Sequence, residues 1–384
     1  MAIIQTPTQL GILLVVNEDL IVSRFGSIAV TAGNAVGLQG DNVVNINGDV
    51  IATANTAVIT AASIANSDIT VGPDGYVSSQ GFDAFNISPA STLSFTNQGV
   101  VSGFDALDVS PSDAGFTADI VNTGTMRGED EAIELSLGNG SADIFNTGTI
   151  FGEENGIDIE SGSSVSRTFI HNEGLIMGQL GAVTGSGSPH PITIVNTGEI
   201  VGFVFFGNGN DTYMGRYGTI DSAVSGGDGD DVLRGGEEAN QFFGGNDNDR
   251  LQGYGGDDTL EGGAGFDTLF GNAGDDELDG GGRADRLIGG KGNDTMTGGG
   301  SSDTFVFRRV ANGDDEITDF QNGSDVIDLS ALGIQNFNAL NNTFNALSND
   351  TDAVVIDLAA AGGSGSVRVV GVQVVDMDAS DFIF

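Results

Sequence analysis

Between residues 226 and 306 glycine and aspartate recur with a period of nine, and the register never slips. The run reads GGDGDDVLR, GGEEANQFF, GGNDNDRLQ, GYGGDDTLE, GGAGFDTLF, GNAGDDELD, GGGRADRLI, GGKGNDTMT, GGGSSDTFV. The sixth place holds Asp231, Asn240, Asp249, Asp258, Asp267, Asp276, Asp285, Asp294 and Asp303. Two places later stands a large apolar residue: Leu233, Phe242, Leu251, Leu260, Leu269, Leu278, Leu287, Met296 and Phe305. Glycine permits positive φ and close backbone approach, so the first six places form a turn. The last three alternate polar, apolar, polar, as in Thr259, Leu260 and Glu261, and read as a short half-buried strand. So short a strand cannot bury its one large side chain alone, and the units must stack. A solvated acidic linker has no reason to place leucine, methionine or phenylalanine in every ninth position.

With two units to a coil, every second unit is a like unit, and the acidic residues form two columns. One holds Asp231, Asp249, Asp267, Asp285 and Asp303, and the other Asn240, Asp258, Asp276 and Asp294. Stacked carboxylates repel unless something positive sits between them. Calcium suits the gap, since it takes roughly 6–8 oxygens and accepts the carbonyls that tight turns expose. Each ion is expected to bridge one aspartate to the next in its column. Turn carbonyls complete the shell, with Gly227, Gly229, Gly245, Gly256, Gly263, Gly265, Gly274, Gly290 and Gly292 as the candidate glycines. Up to about seven ions fit between stacked units on this pattern. The sites are expected to be unequal, because Glu238, Asp247, Arg283 and Ser301 replace the glycine of the fourth place and Asn240 replaces an aspartate.

The nine units resemble the RTX, or hemolysin-type, calcium-binding repeat G-G-x-G-x-D-x-U-x. That resemblance implies a calcium-loaded parallel β-roll. FGNGNDTYM at 206–214 is an out-of-frame unit with Asp211 in the aspartate place, and is expected to be the capping turn of the roll. Beyond the repeats, FVFRRVANGDDEITDFQNGSDVIDLSALGI (305–334) resembles the segment after the repeats in serralysin-type proteases, through Ile317, Asp319, Phe320, Gly323, Asp325, Ile327, Asp328 and Leu329. AVVIDLAA (353–360) and SVRVVGVQVV (366–375) alternate as strands and are expected to form an antiparallel cap over the open end of the roll. The last residues, Asp381, Phe382, Ile383 and Phe384, resemble an uncleaved type I secretion signal, a reading compatible with a last strand.

Residues 1–202 carry a looser repeat, apolar-x-Asn-x-Gly-x-apolar-x-Gly, as in FTNQGVVSG (95–103), IVNTGTMRG (120–128), IFNTGTIFG (144–152), IHNEGLIMG (170–178) and IVNTGEIVG (194–202). Asn97, Asn122, Asn146, Asn172 and Asn196 lie about 24–26 residues apart, a spacing in the range of solenoid coils. Between them run second apolar stretches, DALDV (105–109), AIELS (132–136) and GIDIE (156–160). Short strands at this period read as a parallel β-helix of one coil per repeat, resembling the stalks of autotransporter and adhesin passengers. The asparagines are expected to form a ladder whose amides satisfy one another and the turn backbone. The acidic loops Glu129–Glu131 and Glu153–Glu154 are expected to stack one coil apart. The fold class is thus all-β: β-helix (1–202), calcium-binding β-roll (203–306), and an antiparallel cap with the secretion signal (307–384).

The formal charge is −42, from 54 acidic and 12 basic residues. This excludes a nucleic-acid footprint and argues against anionic polymers and membrane surfaces as partners. It also makes the compact state depend on bound cations. There is no cysteine, so no disulfide or thiol chemistry is available. The apolar run Leu10 to Val16 has no basic flank or cleavage site and reads as a first strand rather than a Sec signal. No stretch is long enough to span a bilayer as a helix.

The chain has no HExxH, G-x-S-x-G or phosphate loop, and its two histidines, His171 and His190, lie in different contexts. His171 is expected to be a turn residue. Alginate epimerases also join a β-helix to RTX repeats, but residues 1–200 offer only Arg24, Arg127, Arg167 and two histidines. Two classes remain. One is a secreted, non-catalytic calcium-binding protein acting in adhesion, matrix or surface-layer contacts. Its partners are the type I secretion apparatus and cell-surface glycans or further copies of itself. The other is a carbohydrate-active β-helix enzyme of the epimerase or lyase kind.

Overall fold

The computed structural model describes the chain apart from residues 1, 5–6, 10–13, 17–19, 25, 31–34, 39–41, 54, 61–65, 89–90, 112–114, 161–165, 186, 188, 309–312, 344–346 and 360–363. It divides into two compact units, residues 1–212 with 217–222, and residues 213–216 with 223–384.

The first unit is a succession of three short strands per coil, paired in parallel with the coil before and after. One coil runs Thr117–Asn122, Thr125–Gly128 and Ile133–Leu135, and the next Ser141–Asn146, Thr149–Gly152 and Asn155–Ile159. Their strands pair in register, Asn122 opposite Asn146, Met126 opposite Ile150 and Ile133 opposite Ile157. The Asn-x-Gly motif is the corner between the first two strands, and the stretches such as AIELS supply the third. The alternation of each strand sends every second side chain inward, giving three continuous columns. They pass through Phe95, Ile120, Ile144, Ile170 and Ile194, through Val101, Met126, Ile150, Ile176 and Ile200, and through Leu107, Ile133, Ile157, Val183 and Val204. Burying each such side chain contributes about 1.5–3 kcal/mol. Strands begin already at Ala2–Ile4, so Leu14–Val16 is the third strand of a coil rather than the first strand of the chain. Residues 10–13 of that apolar run lie outside the described residues.

The asparagine ladder is present. Asn97, Asn122, Asn146 and Asn172 each donate Nδ2 to Oδ1 of the next, at 2.8–2.9 Å. The same amides reach carbonyls of Thr125, Thr149, Leu175 and Glu199. All five asparagines are buried. The glycine two places on has no alternative, since a Cβ at Gly148 would stand 2.1 Å from the Gly124 carbonyl oxygen.

The second unit has two strands per coil. One sheet runs through Val232–Arg234, Arg250–Gly255, Thr268–Ala273, Arg286–Lys291 and Thr304–Val306. The other runs through Ala223–Asp228, Gln241–Asn246, Thr259–Ala264, Glu277–Gly282 and Thr295–Thr297. Pairing is parallel between every second unit, as in Leu251 opposite Leu269 and Leu260 opposite Leu278. The core is the two facing columns of large apolar residues, Leu233 to Phe305 and Phe242 to Met296, all with no exposed surface.

After Phe305 the period of nine ends but the parallel stacking does not. Asp314–Ile317 continues one sheet and Val326–Asp328 the other, followed by Ser366–Val370 and Phe382–Ile383. The expected antiparallel cap is present as Leu347–Asn349, Ala353–Asp357 and Ser366–Val370. It is smaller than expected: the last of these strands ends at Val370, where Gly371 adopts φ 82°, and it belongs to the parallel ladder as well. Phe382–Ile383 is a strand opposite Ile327 and Asp328.

Candidate metal centre

Each roll turn is held by its aspartate. Oδ1 of Asp249, Asp267, Asp285 and Asp303 accepts the backbone N–H of the preceding aspartate in its column, at 2.7–2.9 Å. Asp258, Asp276 and Asp294 do the same for Asn240, Asp258 and Asp276 at 2.7–3.1 Å. One carboxylate oxygen is thereby used. The other, Oδ2 of Asp249, Asp258, Asp267, Asp276, Asp285, Asp294 and Asp303, is buried and has no hydrogen-bond donor among the described residues. A buried carboxylate oxygen left in this way costs several kcal/mol unless a cation meets it.

The space beside these oxygens is lined by oxygen and kept open by glycine. A Cβ added at Gly244 would lie 2.4 Å from Asp249 Oδ2 and 2.5 Å from the Gly262 carbonyl oxygen. One at Gly262 would lie 2.7 Å from both Asp267 Oδ2 and the Gly280 carbonyl oxygen. The second and fourth places of most units take positive φ: Gly227, Gly229, Gly245, Gly256, Gly263, Gly274, Gly290 and Gly292 range from 88° to 145°. Gly265 is not among them, and its need is steric, since a Cβ there would stand 1.6 Å from the Asp247 carbonyl oxygen. At three of the four fourth places without glycine the backbone keeps the left-handed conformation: Asp247, Arg283 and Ser301 hold φ of 72°, 79° and 105°. L-residues adopt such angles at a cost of about 1–3 kcal/mol each, which the surrounding turn must offset.

Burial is the largest influence on these carboxyls. It pushes Asp249, Asp258, Asp285 and Asp294 up to about 7 and Asp267, Asp276 and Asp303 up to about 6, against the N–H bond each accepts. Column neighbours push the same way at Asp249 and Asp258. A divalent cation at Oδ2 reverses this balance, because it is the largest local charge and favours the ionised form. Orphaned oxygens, carbonyls beside them and glycine hollows together fit a hard, oxygen-preferring cation.

Three residues of the same appearance are built differently. Asn240 turns its Oδ1 to the N–H of Gly236 at 2.9 Å, and neither Gly236 nor Glu238 takes a positive φ. Asp325, beyond the repeats, accepts Asp303 N–H and Gln321 N–H at 2.9 and 2.7 Å. Asp211 belongs to the first unit, where its two oxygens accept Ile192 N–H at 2.6 Å and Gly207 N–H at 3.4 Å. In all three an N–H from the start of the same turn occupies the place that is without a donor in the seven aspartates. Asp231 heads its column at 1 % exposure. Asp315 was missed by the period of nine, yet its Oδ1 accepts Asp294 N–H at 3.0 Å and so extends that column. Asp319 binds the N–H groups of Gly298 and Gly299.

The β-helix has acidic residues of its own. Asp108, Glu134 and Asp158 lie opposite one another on the third sheet. At the corner before it, oxygens of Asp105, Asp130 and Glu131 lie within 4.8 Å of one another. Burial, with Asp83 adding to it, pushes Asp105 up to about 9, and burial beside Asp108 pushes Glu134 up to about 7. The loops do stack one coil apart, Glu154 N–H bonding the Asp130 carbonyl at 3.0 Å. His171 does not join them. It is no turn residue but sits on strand Arg167–Asn172 of the first sheet, edge-on to Phe145 and 3.5 Å from Glu173. His190 is buried with Nε2 3.1 Å from Thr168 Oγ1.

Residues 225–260, 252–282 and 279–308 match the family model described as the RTX calcium-binding nonapeptide repeat. The chain is similar to the extracellular lipase LipA from Serratia marcescens at 19% identity over 58% of this chain and 45% of that one, with a TM-score of 0.27. This chain thus spans less than half of that lipase's length. It is also similar to the AlgE6R3 subunit of the Azotobacter vinelandii mannuronan C5-epimerase at 26% identity, over 38% of this chain and 80% of that one, with a TM-score of 0.24. No curated protein matches the chain. The roll is made of RTX calcium-binding repeats.

Proposed function

We propose that this chain, a calcium-binding RTX protein, is an exported protein whose roll folds when calcium enters its turns. The observation that carries this reading is the set of seven buried carboxylate oxygens without a donor among the described residues. The cations are placed there, between the turns of stacked like units, with turn carbonyls such as those of Gly262 and Gly280 alongside. At the ~0.1–1 mM affinities of extracellular modules the turns stay empty where calcium is scarce. The acidic roll then repels itself and remains unfolded, which suits passage through a type I secretion channel. Outside, each site at a hundredfold excess over its dissociation constant adds about 2.7 kcal/mol to stability.

The segments we assign are the β-helix (1–202), the roll (203–306) and the C-terminal segment (307–384) with the secretion signal. The β-helix, held by apolar columns and an asparagine ladder, needs no metal and is assigned to adhesion, matrix or surface-layer contacts. Among the described residues no helix is long and apolar enough to cross a membrane. One observation favours the carbohydrate-active alternative: Glu134, with its raised pKa, stands in line with Asp108 and Asp158. Release of reducing or unsaturated ends from a polysaccharide panel, abolished by Glu134→Gln, would establish it.

The deciding test is circular dichroism of the full chain during calcium titration from chelator. A cooperative gain of β signal near millimolar calcium, unmatched by magnesium, is expected. A full β signal in chelator that calcium leaves unchanged sinks the reading.

A further inference from the structure

The two outer faces of the roll carry opposite charge. Outward from the sheet Val232 to Val306 point Arg234, Arg250, Gln252, Thr268, Phe270 and Arg286, with no carboxylate on any of its five repeat strands. Lys291, the only lysine of the chain, and Arg308 lie exposed at its margin. The opposite sheet presents Glu261, Glu277 and Asp279 and no base on its repeat strands. On the basic face the Arg250 guanidinium carbon lies over the Phe270 ring, 4.2 Å from its centre. Beside this ring opens a hollow of about 290 Å³, with Ile288, Val306 and Phe307 buried in its floor and Lys291 and Arg308 among its lining residues. Arg286 is already paired, to Asp328 at 3.3 Å, whereas Arg234 Nε is buried without a hydrogen-bond partner among the described residues.

We propose that this face binds an anionic polysaccharide, a carboxylated or sulfated glycan lying across the strands. The inference rests on the extracellular calcium-binding reading and names a partner class for it. Cations beside an aromatic plane and an apolar hollow match a polymer whose rings have apolar faces and charged substituents. An acidic peptide fits less well, since peptides add to a free strand edge and strands such as Arg250–Gly255 are paired on both sides. The net charge of −42 does not forbid binding. The repeat strands of this face carry no carboxylate, and repulsion from more distant exposed carboxylates is screened through solvent over ~8 Å in physiological salt.

The full chain in millimolar calcium is tested by affinity electrophoresis with carboxymethylcellulose, and with hydroxyethylcellulose as the neutral polymer on the same backbone. We expect retardation by the first alone, weakening as salt rises. Combined Arg250→Ser, Lys291→Ser and Arg308→Ser substitution should weaken it about tenfold or more, with the calcium midpoint of the β signal unchanged. Equal retardation by the neutral polymer, equal binding by the triple variant, or no binding by the calcium-folded chain overturns the proposal. So does tighter binding of polyglutamate, which would make the occupant an acidic polypeptide. Self-association that the triple variant abolishes, without glycan binding, would make it a second copy. Failure of calcium to change the fold at all is a separate result and strikes the functional reading instead.

Discussion

A roll aspartate has two oxygens with different duties, and only one of them is explained by the protein. Oδ1 accepts a backbone N–H from the preceding coil, while Oδ2 is buried without a hydrogen-bond donor among the described residues. Asp267 stands mid-column between Asp249 and Asp285. Asp303 ends its column against Asp325, whose oxygens are both engaged. Asp267→Ala should therefore raise the half-saturating calcium concentration more than Asp303→Ala, each tenfold step being worth about 1.4 kcal/mol. Calorimetric titrations giving equal losses would count against ions shared between successive members of a column. Asp211→Ala should leave the calcium stoichiometry untouched and destabilise the β-helix by about 1–3 kcal/mol, because the N–H of Ile192 loses its acceptor. Ser301→Gly, which relieves a φ of 105°, should lower the calcium needed for folding.

At the scale of the element, the ladder and the acidic sheet make opposite demands. Asn146 donates to Asn172 and Leu175 and accepts from Asn122, all in the buried corner. Asn146→Ala should lower the denaturation midpoint of the calcium-free chain by an amount equivalent to about 2–4 kcal/mol, from more than one stranded partner. Glu134 works the other way. Burial raises it from 4.5 to about 7, so the folded state holds a proton that the unfolded state gives up. This contribution is complete below about 4.5 and is lost as pH rises through about 7. Stability measured in chelator should thus fall from pH 5 to pH 8, and Glu134→Gln should flatten the slope. The ladder was legible in the sequence because an asparagine column declares itself by period alone. The third strand was legible only as an apolar stretch, since IVNTGTMRG already hides a corner between two strands. Asp315 was not legible, because an insertion breaks the period of nine while the hydrogen bond to Asp294 keeps the column. Nor was the raised pKa of Glu134, which depends on neighbours one coil before and one coil after meeting in register.

For the whole molecule, calcium should divide the chain into a part that needs it and a part that does not. Eight of the 12 basic residues, Arg216, Arg234, Arg250, Arg283, Arg286, Lys291, Arg308 and Arg309, fall within or beside the repeats. Trypsin should cut there rapidly in chelator and slowly in calcium, while the β-helix survives both; digestion equal in the two conditions would refute gated folding. The two-strand coil carries a further consequence, which is one of parity. Successive units alternate between sheets, so a unit's identity as basic or acidic depends on whether its ordinal number is odd or even. Deleting residues 262–270 alone would send every later strand to the opposite sheet, placing Arg286 among the acids and Glu277 among the bases. Deleting 262–279 would preserve every side and merely shorten the stack. A chain of this kind can gain or lose length without scrambling its faces only in steps of two.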